Sequence, residues 1–172
     1  MTRKPARWLG APLGAMLLLL LASGVVASQA KNFVTPLNGS EETPPNASQA
    51  HGVAIFQLSP DGSTMTYRLI ASNIENVSAA HIHIGPPAVI GPVGVGLFGG
   101  PTGGGRHDGV LATGSFTAAD FVGPLAGMTM ADLVAHITAG NAYVNVHTND
   151  GVPPASTGPG DLPVGEIRGQ LD

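Results

Sequence analysis

Three of the six histidines fall in short segments that alternate apolar and polar residues. In His81-Ile82-His83-Ile84 the histidines alternate with isoleucines. In Tyr143-Val144-Asn145-Val146-His147 the polar residues alternate with valines. Glu166-Ile167-Arg168-Gly169-Gln170-Leu171 repeats the pattern. Side chains two apart share one face of a β-strand. With Ile82, Ile84, Val144, Val146, Ile167 and Leu171 turned to a core, the opposite face carries His81, His83, Tyr143, Asn145, His147, Glu166, Arg168 and Gln170. An H-x-H pair on a strand presents two imidazoles about 6.5–7 Å apart at the backbone. Two such rings can reach one ion at nitrogen bond lengths of about 2.0–2.1 Å. A third histidine from a neighbouring strand completes a three-nitrogen set, which suits copper first and zinc second. The expected ligands are His81, His83 and His147. Asn145, Glu166 or Arg168 would orient them from behind. Ligand imidazoles must be neutral, so binding should weaken below about pH 6.

The elements that would position these residues read as an all-β domain. Apolar runs are short and Gly and Pro are abundant, with 25 and 15 residues respectively. Strands are expected at 32–37, 51–58, 64–71, 79–84, 93–98, 110–116, 141–148 and 164–171, with a hairpin turn at Asp61-Gly62. Thr117-Ala118-Ala119-Asp120 and Thr129-Met130-Ala131-Asp132 have the form of helix capping boxes. The second opens a helix whose stripe is Met130, Leu133, Val134 and Ile137 and whose end is Gly140. The expected fold is an antiparallel Greek-key β-sandwich with a short helical insertion at about 117–140.

The first thirty residues have a basic start (Arg3, Lys4, Arg7), an apolar run from Ala11 to Val26, and small residues before Lys31. That is the layout of a cleavable signal peptide, 1–30, leaving one domain, 31–172. The expected location is secreted or periplasmic, and no later stretch is apolar and long enough to span a membrane. After residue 30 four basic residues face eleven acids, a balance that argues against nucleic acid as a partner. The chain has no cysteine, so neither disulfides nor thiolate ligands are available.

Other motifs carry less. Gly94-Val95-Gly96-Leu97-Phe98-Gly99 fits a dinucleotide fingerprint, but a Gly/Pro-rich setting does not supply the required strand and helix. Glu41 and Glu42 read as solvated acids beside Pro44 and Pro45. His51 and His136 read as surface residues, and His107-Asp108 as a turn.

Four segments in order, 37–45, 80–85, 143–148 and 165–171, resemble the marker segments of CHRD domains, named for the repeats of chordin. The resemblance runs from about Asn32 to Leu171. It implies an extracellular β-sandwich module without a settled activity. A narrower similarity, to Cu/Zn superoxide dismutase, is confined to the histidine strands. There His81, His83 and His147 match the copper positions in order, and Arg168 is loosely like an arginine near the copper. The dismutase's bridging histidine, zinc cluster and disulfide cysteines have no counterpart here, so the similarity implies copper binding more than dismutation. The sequence thus leads to an exported, copper- or zinc-binding module with its site on the outer face of the sandwich. No catalytic residue is assigned; the reading leans away from catalysis and keeps a dismutase-like redox activity as its weakest alternative. The rival reading is a non-catalytic recognition module for an extracellular protein or polysaccharide.

Overall fold

The computed structural model describes residues 1–2 and 31–172; the proposed leader falls almost wholly outside them. Eight strands form the frame: β1 (Asn32–Asn38), β2 (His51–Leu58), β3 (Thr64–Glu75), β4 (Val77–Ile84), β5 (Val93–Gly99), β6 (Arg106–Thr117), β7 (Ala142–Thr148) and β8 (Ile167–Leu171). One helix, α1 (Met130–Thr138), interrupts them. Every pairing is antiparallel, in the order β5-β4-β7-β8-β1-β2-β3-β6.

The joint between β8 and β1 is a single pair, Asn38 with Arg168. The sheet therefore folds there into two halves, β5-β4-β7-β8 and β1-β2-β3-β6, around one core. At the opposite side the edges of β5 and β6 approach, and the Tyr67 hydroxyl donates to the Leu97 carbonyl at 2.6 Å. The chain passes between halves after β3, β5 and β6, which gives the expected Greek-key sandwich, nearly closed into a barrel.

Alternation explains which faces are buried. Phe33, Leu37, Ala54, Phe56, Met65 and Leu69 come from one half, and Ile82, Val95, Val144, Val146, Ile167 and Leu171 from the other. Their combined removal from water drives the two halves together. Strand β3 runs four residues beyond its expected end. Its pairing with β6 is irregular after Leu69 and again after Ala71, and Asn73 adopts φ 55°. Those irregularities break the period of two and hide the extension from pattern reading.

Both capping boxes form. Only the second leads into an α-helix, because the first runs into Gly123, at φ 54°, and Pro124. In α1, Met130, Leu133 and Ile137 are buried against the core, and Val134 packs at its margin.

The outer face of β4, β7 and β8 differs from expectation. It is not open to solvent. All seven residues of β7 are buried. Segments 39–46, 85–92 and 149–166 fold over that face. Their backbone carbonyls at Pro86, Val89, Gly91, Pro163 and Val164 accept hydrogen bonds from its polar side chains. A face lined with ring N–H groups and a guanidinium offers many donors. Loops rich in Pro and Gly have carbonyls left over to meet them.

Candidate metal centre

Strand register brings the three histidines together. Across β4 and β7, Ala79 faces His147, His81 faces Asn145 and His83 faces Tyr143. His147 is therefore a diagonal neighbour of His81, within reach of an imidazole. The small side chain of Ala79, directly opposite, leaves space for the His147 ring to lean toward the pair. Nδ1 of His81 lies 3.1 Å from Nε2 of His147, and Nε2 of His83 lies 3.4 Å from that same nitrogen. One ring nitrogen from each histidine falls within 4.8 Å of the others. Two nitrogens bound tetrahedrally to one ion at about 2.0–2.1 Å would be roughly 3.3–3.4 Å apart. The two spacings to His147 match those of ligands around a single ion.

Backbone carbonyls fix the tautomers of two rings. Nδ1 of His83 donates to the Gly91 carbonyl at 2.9 Å, and Nδ1 of His147 donates to the Pro163 carbonyl at 3.1 Å. A carbonyl only accepts, so each Nδ1 carries the hydrogen. Each Nε2 then has a bare lone pair while its ring is neutral. Burial keeps the rings neutral. His147 is pushed down to about 4, by desolvation first and then by His81 and His83. His83 is lowered by desolvation, against the Gly91 hydrogen bond, with a further push from the Arg168 charge. His81 is lowered by desolvation and by His83. At neutral pH the Nε2 atoms of His83 and His147 both accept; Nδ1 of His81 can donate to that of His147 at 3.1 Å, which leaves the lone pair of His83, 3.4 Å away, without a hydrogen. That arrangement is unfavourable alone and favourable around a cation. His83 and His147 are 7% and 8% exposed, whereas His81 is only partly covered, so the centre opens to water on its side.

The residues behind the ligands have other partners than the sequence suggests. Neither Asn145, Glu166 nor Arg168 hydrogen-bonds an imidazole; the carbonyls of Gly91 and Pro163 do that work. Glu166, 1% exposed, accepts from Ser48 at 2.6 Å, Thr148 at 2.7 Å and the Gly160 amide at 2.8 Å. It anchors the loop that carries Pro163. Asn145 donates weakly to Glu42 and to the Val164 carbonyl, each at 3.4 Å. Arg168 lies with its guanidinium carbon 3.4 Å from the Tyr143 ring centroid. Its N–H groups go to Thr43, Val89, Pro86 and Gln170. The other face of Tyr143 stacks on His83, with centroids 5.0 Å apart. Arg168 is thus separated from the imidazoles by a tyrosine ring, and its hydrogens are committed to the covering loops.

Two further participants have roles that the sequence leaves open or hides: it puts Tyr143 on the histidine face without choosing between packing and the site, and it hides Glu42. Tyr143 accepts from the Gly91 amide at 2.9 Å, which holds the same peptide segment that orients His83. Its place in the alternation is the only signal. Glu42 is buried, not solvated. Desolvation raises it to about 7 despite the nearby Arg168 charge. Its Oε1 and the Oδ1 of Asn145 are both buried without a partner. Both pack on Gly165, whose φ of 151° and lack of a side chain allow the contact; a Cβ there would come within 2.6 Å of each oxygen. His51, His107 and His136 lie outside the cluster. His107 is within β6, not in a turn.

A search of the curated proteins found no match. The family model of the CHRD domain matches residues 33–171, a span that includes all eight strands but the first residue of β1, all three histidines and the loops that cover them. This chain belongs to the CHRD domain family.

Proposed function

We propose that this CHRD domain is an exported module that binds one metal ion, copper before zinc, through His81, His83 and His147. One observation carries the reading: the bare Nε2 atoms of His83 and His147 face each other at 3.4 Å, each held by a carbonyl behind it. Nδ1 of His81 can donate to Nε2 of His147, but no hydrogen in the cluster serves the buried Nε2 of His83, and a cation shared by the three rings would serve it. Three nitrogens leave a coordination position on the His81 side for water or a small ligand. The leader-like segment 1–30 supports a site of action outside the cytoplasm. A dismutase role is not favoured, because Arg168 is walled off by Tyr143 and cannot guide an anion to the ion.

The test is metal titration of the purified protein beside its His147→Ala variant and the double variant His81→Ala/His83→Ala. One ion per chain in the wild type and at least tenfold weaker binding in both variants is expected. Equal retention by all three proteins rejects the ligand set.

A second reading has its own observation. A cleft of about 410 Å³ lies between the covering loops, lined by Pro44, Pro45, Ile90, Leu162 and Val164 among others. Ile90 and Val164 are 62% and 59% exposed on it. An apolar cleft of this kind suits recognition of an extracellular protein or polysaccharide. Partner binding that persists in excess chelator, with the metal gone, would favour it.

A further inference from the structure

We infer that the centre holds copper as the monovalent ion, in preference to divalent copper or zinc. The inference rests on the metal-binding reading above and concerns the charge of the ion. All three donors are neutral imidazoles, and no carboxylate or thiolate joins them among the described residues. A site that supplies no negative charge leaves the whole charge of the ion uncompensated. Two of its three ligands are buried. The cost of desolvating an ion grows with the square of its charge, so a dication is penalised far more than a monocation.

Of the nearby buried charges, Arg168 pushes the same way and Glu42, ionised at pH 8, opposes it. Arg168, 2% exposed, stands over Tyr143, which stacks on His83. Its guanidinium stays protonated throughout the accessible pH range. No carboxylate among the described residues forms an ion pair with it. The acids whose charges reach it are Glu42 and, more weakly, Glu41. Glu42 is the buried one, and Glu166 adds a repulsive charge to it. Coordination number agrees as well. Divalent copper favours tetragonal sites with four or more ligands, whereas the protein supplies three. One factor opposes: soft sulfur ligands, which select monovalent copper, are missing. Charge and burial outweigh it because they act on every dication alike, whereas ligand count tells against divalent copper alone, zinc accepting three protein ligands and a water.

The experiment titrates the purified protein without oxygen at pH 8, with monovalent copper against a chromophoric chelator. Parallel titrations use divalent copper and zinc against chelators matched in strength. Monovalent copper is expected to bind one per chain and more tightly than either dication. Arg168→Met should lower the preference for monovalent over divalent copper on the order of tenfold, the effect of one charge at roughly 10 Å through an effective dielectric near 20. For a one-electron couple that is about 59 mV of reduction potential. Arg168→Lys should keep most of the preference. Because Arg168→Met removes several buried hydrogen bonds and can fail to fold, Glu42→Gln gives a second arm of opposite sign. It removes a negative charge and should raise the preference at pH 8. Tighter binding of zinc or divalent copper than of monovalent copper overturns the inference and leaves the metal site standing. Failure to bind any of the three ions overturns the site itself.

Discussion

His83 and Tyr143 lie ring on ring, centroids 5.0 Å apart and planes 11° from parallel. The same tyrosine holds the Gly91 amide, and the Gly91 carbonyl holds Nδ1 of His83. Tyr143 therefore positions the imidazole twice, by its face and by its hydroxyl. Replacing an outer group of this kind commonly costs about 10–100-fold in metal affinity. Tyr143→Phe keeps the stack and loses the hydroxyl, so a loss near the lower limit, about tenfold, is expected. Tyr143→Leu loses both and should fall near the upper limit. Competition titration of the two variants against wild type separates the contributions. Equal losses would mean that the stack adds nothing.

The metal-free protein should lose stability as the medium turns acidic. Each histidine of the centre has a folded-state pKa below its usual 6.5. Between about 6.5 and 4 the unfolded chain takes up protons that the folded site refuses. The unfolded state then binds more protons, and stability drops as pH falls through that window. For His147 alone the shift amounts to on the order of 2–3 kcal/mol. Metal binding follows the same window, since a proton and the ion compete for Nε2. Retention should persist below pH 6, lower than for free imidazole, and end near pH 4–5. Urea midpoints without metal, and metal retention by equilibrium dialysis, both across pH 4–8, check the two halves. Release complete at pH 6 would contradict the lowered pKa values.

Much of this centre could be read from residues alone, and the reason is periodicity. Alternation in 81–84 and 143–147 fixed which side of each strand His81, His83 and His147 occupy, because a one-residue slip would bury them in the core. The cover over that face was not legible. Segments 85–92 and 149–166 have no period, and their contribution is backbone carbonyls, which every residue type carries. The burial of Glu42 was hidden for the same reason. An acid between Gly39 and Pro44 has no pattern to say whether a loop folds in or out. The helix was easier, since Thr129 and Asp132 cap it reciprocally. The same signal at Thr117 marked a true capped turn but could not set its length.

Glu166 should matter to stability before it matters to metal. Its carboxylate takes three hydrogen bonds, from Ser48, Thr148 and the Gly160 amide. Glu166→Ala strands those donors in a buried place, at about 1–3 kcal/mol for each group left unsatisfied. A total loss of roughly 3 kcal/mol or more is expected in urea unfolding, after partial relaxation. The loop that presents the Pro163 carbonyl to His147 should loosen with it. Metal affinity would then fall by less than in His147→Ala. An affinity loss as great as that of His147→Ala, with stability unchanged, would instead place Glu166 at the ion.

Glu42 opposes the histidines in sign. Its folded pKa, about 7, lies above the ordinary 4.5. As pH rises from 4.5 through 7, the unfolded chain releases its proton first and the folded state is left holding one. The unfolded state then binds fewer protons, so stability falls with rising pH across that window, by on the order of 2–3 kcal/mol. Together with the histidine effect this sets a stability maximum for the metal-free protein between about pH 5 and 6.5. Glu42→Gln abolishes the alkaline limb. Its amide is neutral at every pH, and its N–H can reach the orphaned Oδ1 of Asn145, which the ionised carboxylate cannot serve. The variant should be more stable than wild type at pH 8 and close to it at pH 5, moving the maximum upward. Thermal unfolding of both proteins at the two pH values decides the matter. A variant equally destabilised at both would show that Glu42 is held as a carboxylate after all.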